Sequence, residues 1–359
     1  MQLTRRHSAL LAAGAVLALT AGSAAATTGH AAPALTTRQH STWISGQKAF
    51  LWPQGHKEVG AESVPTPNDA NNLIFHGGAV QHSPKVYLIF WGTEWKSGFK
   101  VGPGYTQKTA INYESKFFAN VGGSPFAGVQ TQFCDGITAG STSCKGVAGA
   151  KFVKNPRRIL HGVWVDPSPA PATITSYGLA ENISTDPIAT EAVRAASHFQ
   201  THDIDALFMI FTPPGHAATA YGSVYCAYHS EVTNPPLNHG IRYAFMPFTP
   251  EQGAGCGGNS VNGRNDSFGH GYFDSYTLAG GHEWAEAVTD PDAWPTQDGW
   301  NDVSTSENGD KCAYHFTKNI RLGGYYFAVQ PMWSNEANGG KGGCAFTRGT
   351  GTMPVPPPV

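Results

Sequence analysis

Apolar residues in this chain fall into a few dense runs separated by polar, glycine-rich stretches. Residues 85–91 (Lys-Val-Tyr-Leu-Ile-Phe-Trp) are continuously apolar after the first, and are bounded by Pro84 and Gly92. Residues 205–212 form a second such run. Short apolar runs between turn residues read as strands buried on both faces. Residues 159–165 and 242–248 predict two further strands, and a late strand is expected near 325–330. Between these runs the apolar spacing becomes helical. Residues 106–121 predict a helix with Thr106 as its cap. Residues 186–197 predict another, with Asp186 as cap and Pro187 in the first turn, and residues 275–289 a third. Buried strands alternating with helices predict an α/β fold: a layered mixed sheet with covering helices.

The ends of the chain read differently. Arg5 and Arg6 precede a small, apolar run at 8–20, and Ala24-Ala25-Ala26 follows it. Charge, apolar stretch and small residues in this order mark a signal peptide over residues 1–26, with cleavage expected after Ala26 and Ala32 or Ala34 as alternatives. The run is too short to stay in a bilayer as a helix, and no later segment is apolar for long enough to span one after cleavage. Residues 27–70 read as a polar leader or propeptide-like arm, 71–346 as the main α/β domain, and 347–359, proline-rich at its end, as a disordered tail.

Composition narrows the function classes. Only 13% of residues are charged, against roughly 25% in an ordinary globular domain. Without the two signal arginines the chain has 21 basic and 25 acidic residues. A weakly acidic chain lacks the basic surface that nucleic acid requires. The six cysteines are an even number, and no C-x-x-C pair is present. Their spacing predicts three local bridges, Cys134–Cys144, Cys226–Cys256 and Cys312–Cys344, which an oxidising, extracellular setting permits.

Chemistry concentrates at Gly280-Gly281-His282-Glu283-Trp284-Ala285-Glu286, an H-E-x-x-E string inside the third helix. Residues four apart share a helix face, so His282 and Glu286 are candidate ligands for one metal ion. Glu283 beside them is a candidate general base on metal-bound water, as in H-E-x-x-H zinc hydrolases. This makes a zincin-like active helix an expectation of the sequence. The same residues on an exposed helix would be no more than a solvated polar face. Gly280 and Gly281 disfavour a helix by about 1 kcal/mol each, which close approach of another backbone or a ligand would offset. Asp290 ends the helix where a carboxylate is disfavoured by the dipole, so a donor or cation is expected there.

The following loop is rich in acids, and Glu307 or Asp310, beside Cys312, is expected to complete the metal shell. Asp292 ranks lower as a ligand. His229 is a candidate assistant in catalysis; His76 and His270 read as structural. Zinc suits such nitrogen and carboxylate donors, with calcium as the second cation the acids admit, although no D-x-D-x-D-G string is present. Trp284, Trp294, Trp300 and Trp333 read as core. No G-x-S-x-G elbow and no phosphate-binding glycine loop occurs.

Several blocks, in order, resemble the phosphate-induced, or Exordium-like, family: Phe75-His76-Gly77-Gly78, Val86-Tyr87-Leu88-Ile89-Phe90-Trp91-Gly92, Leu207-Phe208-Met209-Ile210-Phe211-Thr212 and Tyr225-Cys226-Ala227-Tyr228-His229. The segment from His282 to Pro291 and the stretch from Gln330-Pro331-Met332-Trp333-Ser334 to Cys344 extend the similarity. The resemblance covers residues 72–346. It implies secretion and a fold shared with apoplastic plant proteins linked to cell expansion, whereas the His-Glu pair is kept by bacterial relatives. The expected function is a secreted zinc-dependent hydrolase, a metallopeptidase first of all, acting on extracellular protein, peptide or cell-wall material. The alternatives are a non-catalytic cell-wall or glycan-binding protein and a glycoside hydrolase using Glu283 with a second carboxylate.

Overall fold

A computed structural model of the chain describes residues 48–50, 72–174, 186–218, 221–223, 225–232, 240–292, 298–313 and 315–348. All lie within one compact unit, Gln39–Val359. The predicted signal peptide, the rest of the 27–70 segment, Trp294 and the residues beyond Arg348 lie outside the described residues.

The centre is a six-stranded mixed sheet. Its strands are β1 (Lys48–Phe50), β2 (Lys85–Trp91), β3 (Leu160–Asp166), β4 (Ala206–Phe211), β5 (Ala227–Val232) and β6 (Ile241–Met246). The spatial order is β1-β5-β6-β4-β2-β3. The block from β6 through β4 and β2 to β3 is parallel. β5 runs antiparallel to β6, and β1 antiparallel to β5. Every residue of β4 is buried, because helices cover both faces of the sheet. β3, at one edge, alternates in exposure instead.

Three helices form the covering layers: α1 (Gln107–Val121), α2 (Pro187–His198) and α3 (Asp274–Thr289). Caps set their starts as the sequence predicts. Thr106 closes a capping box with Thr109, and Asp186 accepts from the backbone N–H groups of Ile188 and Ala189. Alternation along the strands sorts side chains between the layers. Phe208 stacks with Tyr87, which meets Phe199 at the end of α2. Phe211, on the opposite face, meets Tyr276 of α3. α1 lies on β2 and β3 and packs against α3.

All sixteen residues of α3 are buried. A helix buried all round belongs to the core, so the polar residues it carries are not a solvated face. Asp274 puts a carboxylate in its first turn, where the dipole favours it, and ties the preceding loop to the helix by accepting from the backbone N–H groups of Val261, Asn262 and Gly271. At the other end Asp290 accepts from Gly299 N at 2.7 Å and from the Asn301 amide. A donor therefore holds Asp290, as its unfavourable position requires.

Three disulfides join Cys134 to Cys144, Cys226 to Cys256 and Cys312 to Cys344, as the spacing predicts. Two strands differ from expectation. β5 is a full strand although its sequence, Ala-Tyr-His-Ser-Glu-Val, lacks an apolar run. β1 places part of the arm on the sheet, paired with β5. Among the described residues no helix is long and apolar enough to cross a membrane.

Candidate metal centre

α3 supplies the first donors. His282 and Glu286 lie one turn apart, with Nε2 to Oε1 at 3.0 Å. Glu283 turns toward β5, where its Oε2 lies 3.2 Å from His229 Nδ1. β5, next to the edge strand, holds His229 opposite Ala244 of β6 on one side and Lys48 of β1 on the other.

The acidic loop brings the remaining donors. Glu307 Oε1 lies 3.7 Å from His229 Nε2, and Asp310 Oδ1 lies 3.6 Å from His282 Nε2. The loop is tied to the helix at several points. Asp310 N donates to Glu286 Oε1 at 3.0 Å. The Asn308 amide donates toward Ala285 O, Thr289 Oγ1 and Gln130 Oε1. Trp333 N donates to Asn308 O, and Gln330 Nε2 donates to Gly309 O. The bridge from Cys312 to Cys344 closes the loop behind them.

The result is a cluster of two imidazoles and four carboxylates whose members are at most 9% exposed. The donor atoms of His282, Glu286 and Asp310 lie within 4.8 Å of one another, and so do those of His229, Glu286 and Glu307. Burial pushes the His282 imidazole down, but the charge and hydrogen bond of Glu286, with Asp310 and Gln330 adding, bring it above its ordinary value. Burial pushes Glu286 up, and the charge and hydrogen bond of His282, with His229 and the Asp310 N–H, hold it below the usual carboxylate range. With all four carboxylates ionised, these six groups carry a net charge of −2 even when both imidazoles are protonated. Concentrating negative charge away from water is unfavourable unless a proton or cation offsets it. Nitrogen and carboxylate donors at these separations suit a divalent ion: the edge of a tetrahedral zinc shell is roughly 3.3 Å.

All six candidate site residues, His229, His282, Glu283, Glu286, Glu307 and Asp310, meet here. Other candidates do not. Asp292 accepts from the Arg242 guanidinium, Nε to Oδ1 at 2.8 Å, and serves as an ion-pair partner instead of a ligand. His76 contacts Asn301 O, and His270 bridges Asp266 to Tyr326 O, so both pin loops. Trp284, Trp300 and Trp333 are buried in the core.

The two helix glycines require correction. A Cβ on Gly280 would lie 3.6 Å from the Met246 methyl, and one on Gly281 would lie 3.4 Å from Phe117 Cζ. These are side-chain contacts of ordinary length, so neither glycine admits a second backbone or a ligand. The close approach lies at Gly309, which sequence reasoning passed over. A Cβ there would sit 2.8 Å from His282 Nδ1 and 2.9 Å from Glu286 Oε1. Gly309→Ala is expected to push the loop off the helix, at about 1–3 kcal/mol of stability, and to weaken metal binding roughly 10-fold or more. Competition with a chromophoric chelator checks this; unchanged affinity and melting temperature would refute it. Asn308 and Gln330 also went unnoticed. The Asn308-Gly309 pair carries a turn signal, but nothing in it announces a tether to a helix two dozen residues upstream.

Fold and site together define a mixed-sheet α/β protein with helices on both sheet faces and a buried histidine–carboxylate cluster. Comparison with protein-family models, curated proteins and solved structures finds no match to this chain.

Proposed function

We propose that the mature chain is a secreted, zinc-dependent hydrolase acting on peptide bonds. One observation carries this reading: residues from a helix, a strand and a disulfide-closed loop bring their metal-ligating atoms within 4.8 Å of one another. Such convergence of His282, Glu286 and Asp310, with His229 and Glu307 alongside, requires specific placement of three separate elements. The signal-like N-terminus and the three bridges support export to an oxidising compartment.

When bound, zinc lowers the pKa of a coordinated water toward neutrality and polarises a carbonyl. Glu283, next to His282 in the chain, would be the proton acceptor for that chemistry. Its contact with His229 also holds the imidazole in one orientation, the role a carboxylate plays behind a ligating histidine. His282 and Glu286 are held by the rigid helix, and the loop carries its donors in through Asn308 and the Cys312–Cys344 bridge.

Peptide as the substrate class has its own support. An extended segment, β1, already pairs with β5 directly beside His229, with Lys48 in register with it. Without the arm, β5 presents its backbone N–H and C=O groups at the sheet edge, where an extended peptide adds as a strand. The arm then acts as a propeptide-like cover. A second reading draws on the burial of all six groups: a closed metal centre that stabilises a non-catalytic wall-binding protein.

Protein purified from the secreted fraction without chelators is expected to contain zinc. After removal of residues 27–70 it is expected to hydrolyse casein. Glu283→Gln should lower that rate at least ~100-fold while metal content stays unchanged. Metal-free protein would sink the proposal. Metal-bearing protein that stays inert after trimming would leave only the closed centre.

A further inference from the structure

We propose that the centre holds two metal ions bridged by the Glu286 carboxylate. This rests on the metal-centre reading above and goes one step further, to how many ions it takes.

The donors separate into two sets of three. One is His282, Glu286 and Asp310; the other is His229, Glu286 and Glu307. Glu286 is their single common member, and its two oxygens divide between them. Oε1 lies 3.0 Å from His282 Nε2, and Oε2 lies 3.6 Å from His229 Nδ1. A carboxylate with each oxygen turned to a different imidazole has the disposition of a bridging ligand. Each set then provides one imidazole and one terminal carboxylate of its own. Asp310 completes the His282 side, 3.6 Å from the same Nε2. On the other side Glu307 lies 3.7 Å from His229 Nε2, and one ligand atom each of His229, Glu286 and Glu307 lie within 4.8 Å of one another.

Charge leads to the same count. The cluster contains four carboxylates, those of Glu283, Glu286, Glu307 and Asp310, all at most 9% exposed. Two divalent ions with neutral imidazoles make the group electrically neutral, whereas one leaves two negative charges in a site with little water. Uncompensated buried charge is the less stable arrangement. The Asp310 N–H on Glu286 Oε1 keeps that oxygen directed toward the His282 side. Glu283 meets His229 Nδ1 at 3.2 Å, so it orients the imidazole when the ion on that side is taken by Nε2, the nitrogen that Glu307 faces. A mixed set of one imidazole and two carboxylates on each side selects first-row ions such as zinc over calcium, which prefers an all-oxygen shell. Ions sharing one carboxylate sit about 3.5–4 Å apart, the spacing at which paired ions act on both oxygens of a hydrolytic displacement.

The test is a zinc titration of full-length, chelator-dialysed protein, read by elemental analysis after gel filtration. Two equivalents per chain are expected. One equivalent overturns the bridged pair and leaves the metal-centre reading standing; none overturns both. X-ray absorption of the loaded wild-type protein locates the ions without any substitution. A metal–metal shell within about 4 Å is expected, and two equivalents without such a shell would place the second ion elsewhere and overturn the proposal. Asp310→Asn and Glu307→Gln should each lower the stoichiometry to one, and Glu286→Gln should remove the metal–metal shell. Retention of that shell in folded Glu286→Gln protein, judged by circular dichroism, would exclude the bridge.

Discussion

Removing metal with a chelator is expected to lower the melting temperature of the purified protein by about 10 °C. A site filled at 1,000 times its Kd adds about 4 kcal/mol to stability, and 1 kcal/mol shifts the midpoint by roughly 2–4 °C in a domain somewhat smaller than this one. The cause is local. His282 and Glu286 sit on a helix that is buried throughout, and Glu307 and Asp310 are brought against them by the loop. Without a cation, these carboxylates face one another in the core. The loop between Asp302 and Cys312 should loosen first, because its main contacts with the helix run through Asn308 and Asp310. Calorimetry with and without chelator, followed by zinc add-back, measures the effect. A midpoint unmoved by chelation of metal-bearing protein would show that the cluster is stable by itself.

Glu114→Gln should change how stability depends on pH. Glu114 of α1 is fully buried, and its Oε2 lies 3.7 Å from where a Cβ on Gly280 would stand, a point the methyls of Met209 and Met246 also approach. Burial raises its pKa from 4.5 to about 8. In the unfolded chain the acid ionises near 4.5, while in the folded protein it keeps its proton until about 8. Between these values the unfolded state binds fewer protons. Stability from this group is therefore complete below the lower value, falls as pH rises through the interval and is level above it. At about 1.4 kcal/mol per pH unit the loss reaches roughly 4–5 kcal/mol. Glutamine has nearly the same shape and does not ionise. The variant should match the parent near pH 4.5 and exceed it by several kcal/mol at pH 8.5. Urea denaturation at the two pH values decides it, and an equal difference at both would contradict the assignment.

Legibility in the sequence followed distance along the chain. The runs at 85–91 and 205–212 predict β2 and β4 closely, because a strand buried on both faces needs an unbroken apolar run. Thr106 and Asp186 announce their helices because capping acts within three residues. His282 and Glu286 were readable as a pair for a similar reason: their separation is one helical turn. β5 escaped notice because it carries His229, Ser230 and Glu231 among its apolar residues, and only the surrounding layers bury them. β1 escaped because a three-residue strand in a polar arm has no periodicity to detect. Gly309 matters for what approaches it from α3, which no local pattern records.

By itself, then, the sequence determined the alternation of buried strands and helices, the three cysteine pairings and the one-turn spacing of the H-E-x-x-E string. The strand, helix and motif signals depend on chemistry within a few residues, and the cysteine pairings join partners 10 to 32 residues apart. Tertiary structure alone decided that the string faces inward, that His229 arrives from a strand more than fifty residues upstream, and that both Glu307 and Asp310 reach the same place. The reason is physical: a helix fixes the relative positions of its own side chains, whereas the meeting of separate elements depends on which faces must leave water together when the layers pack.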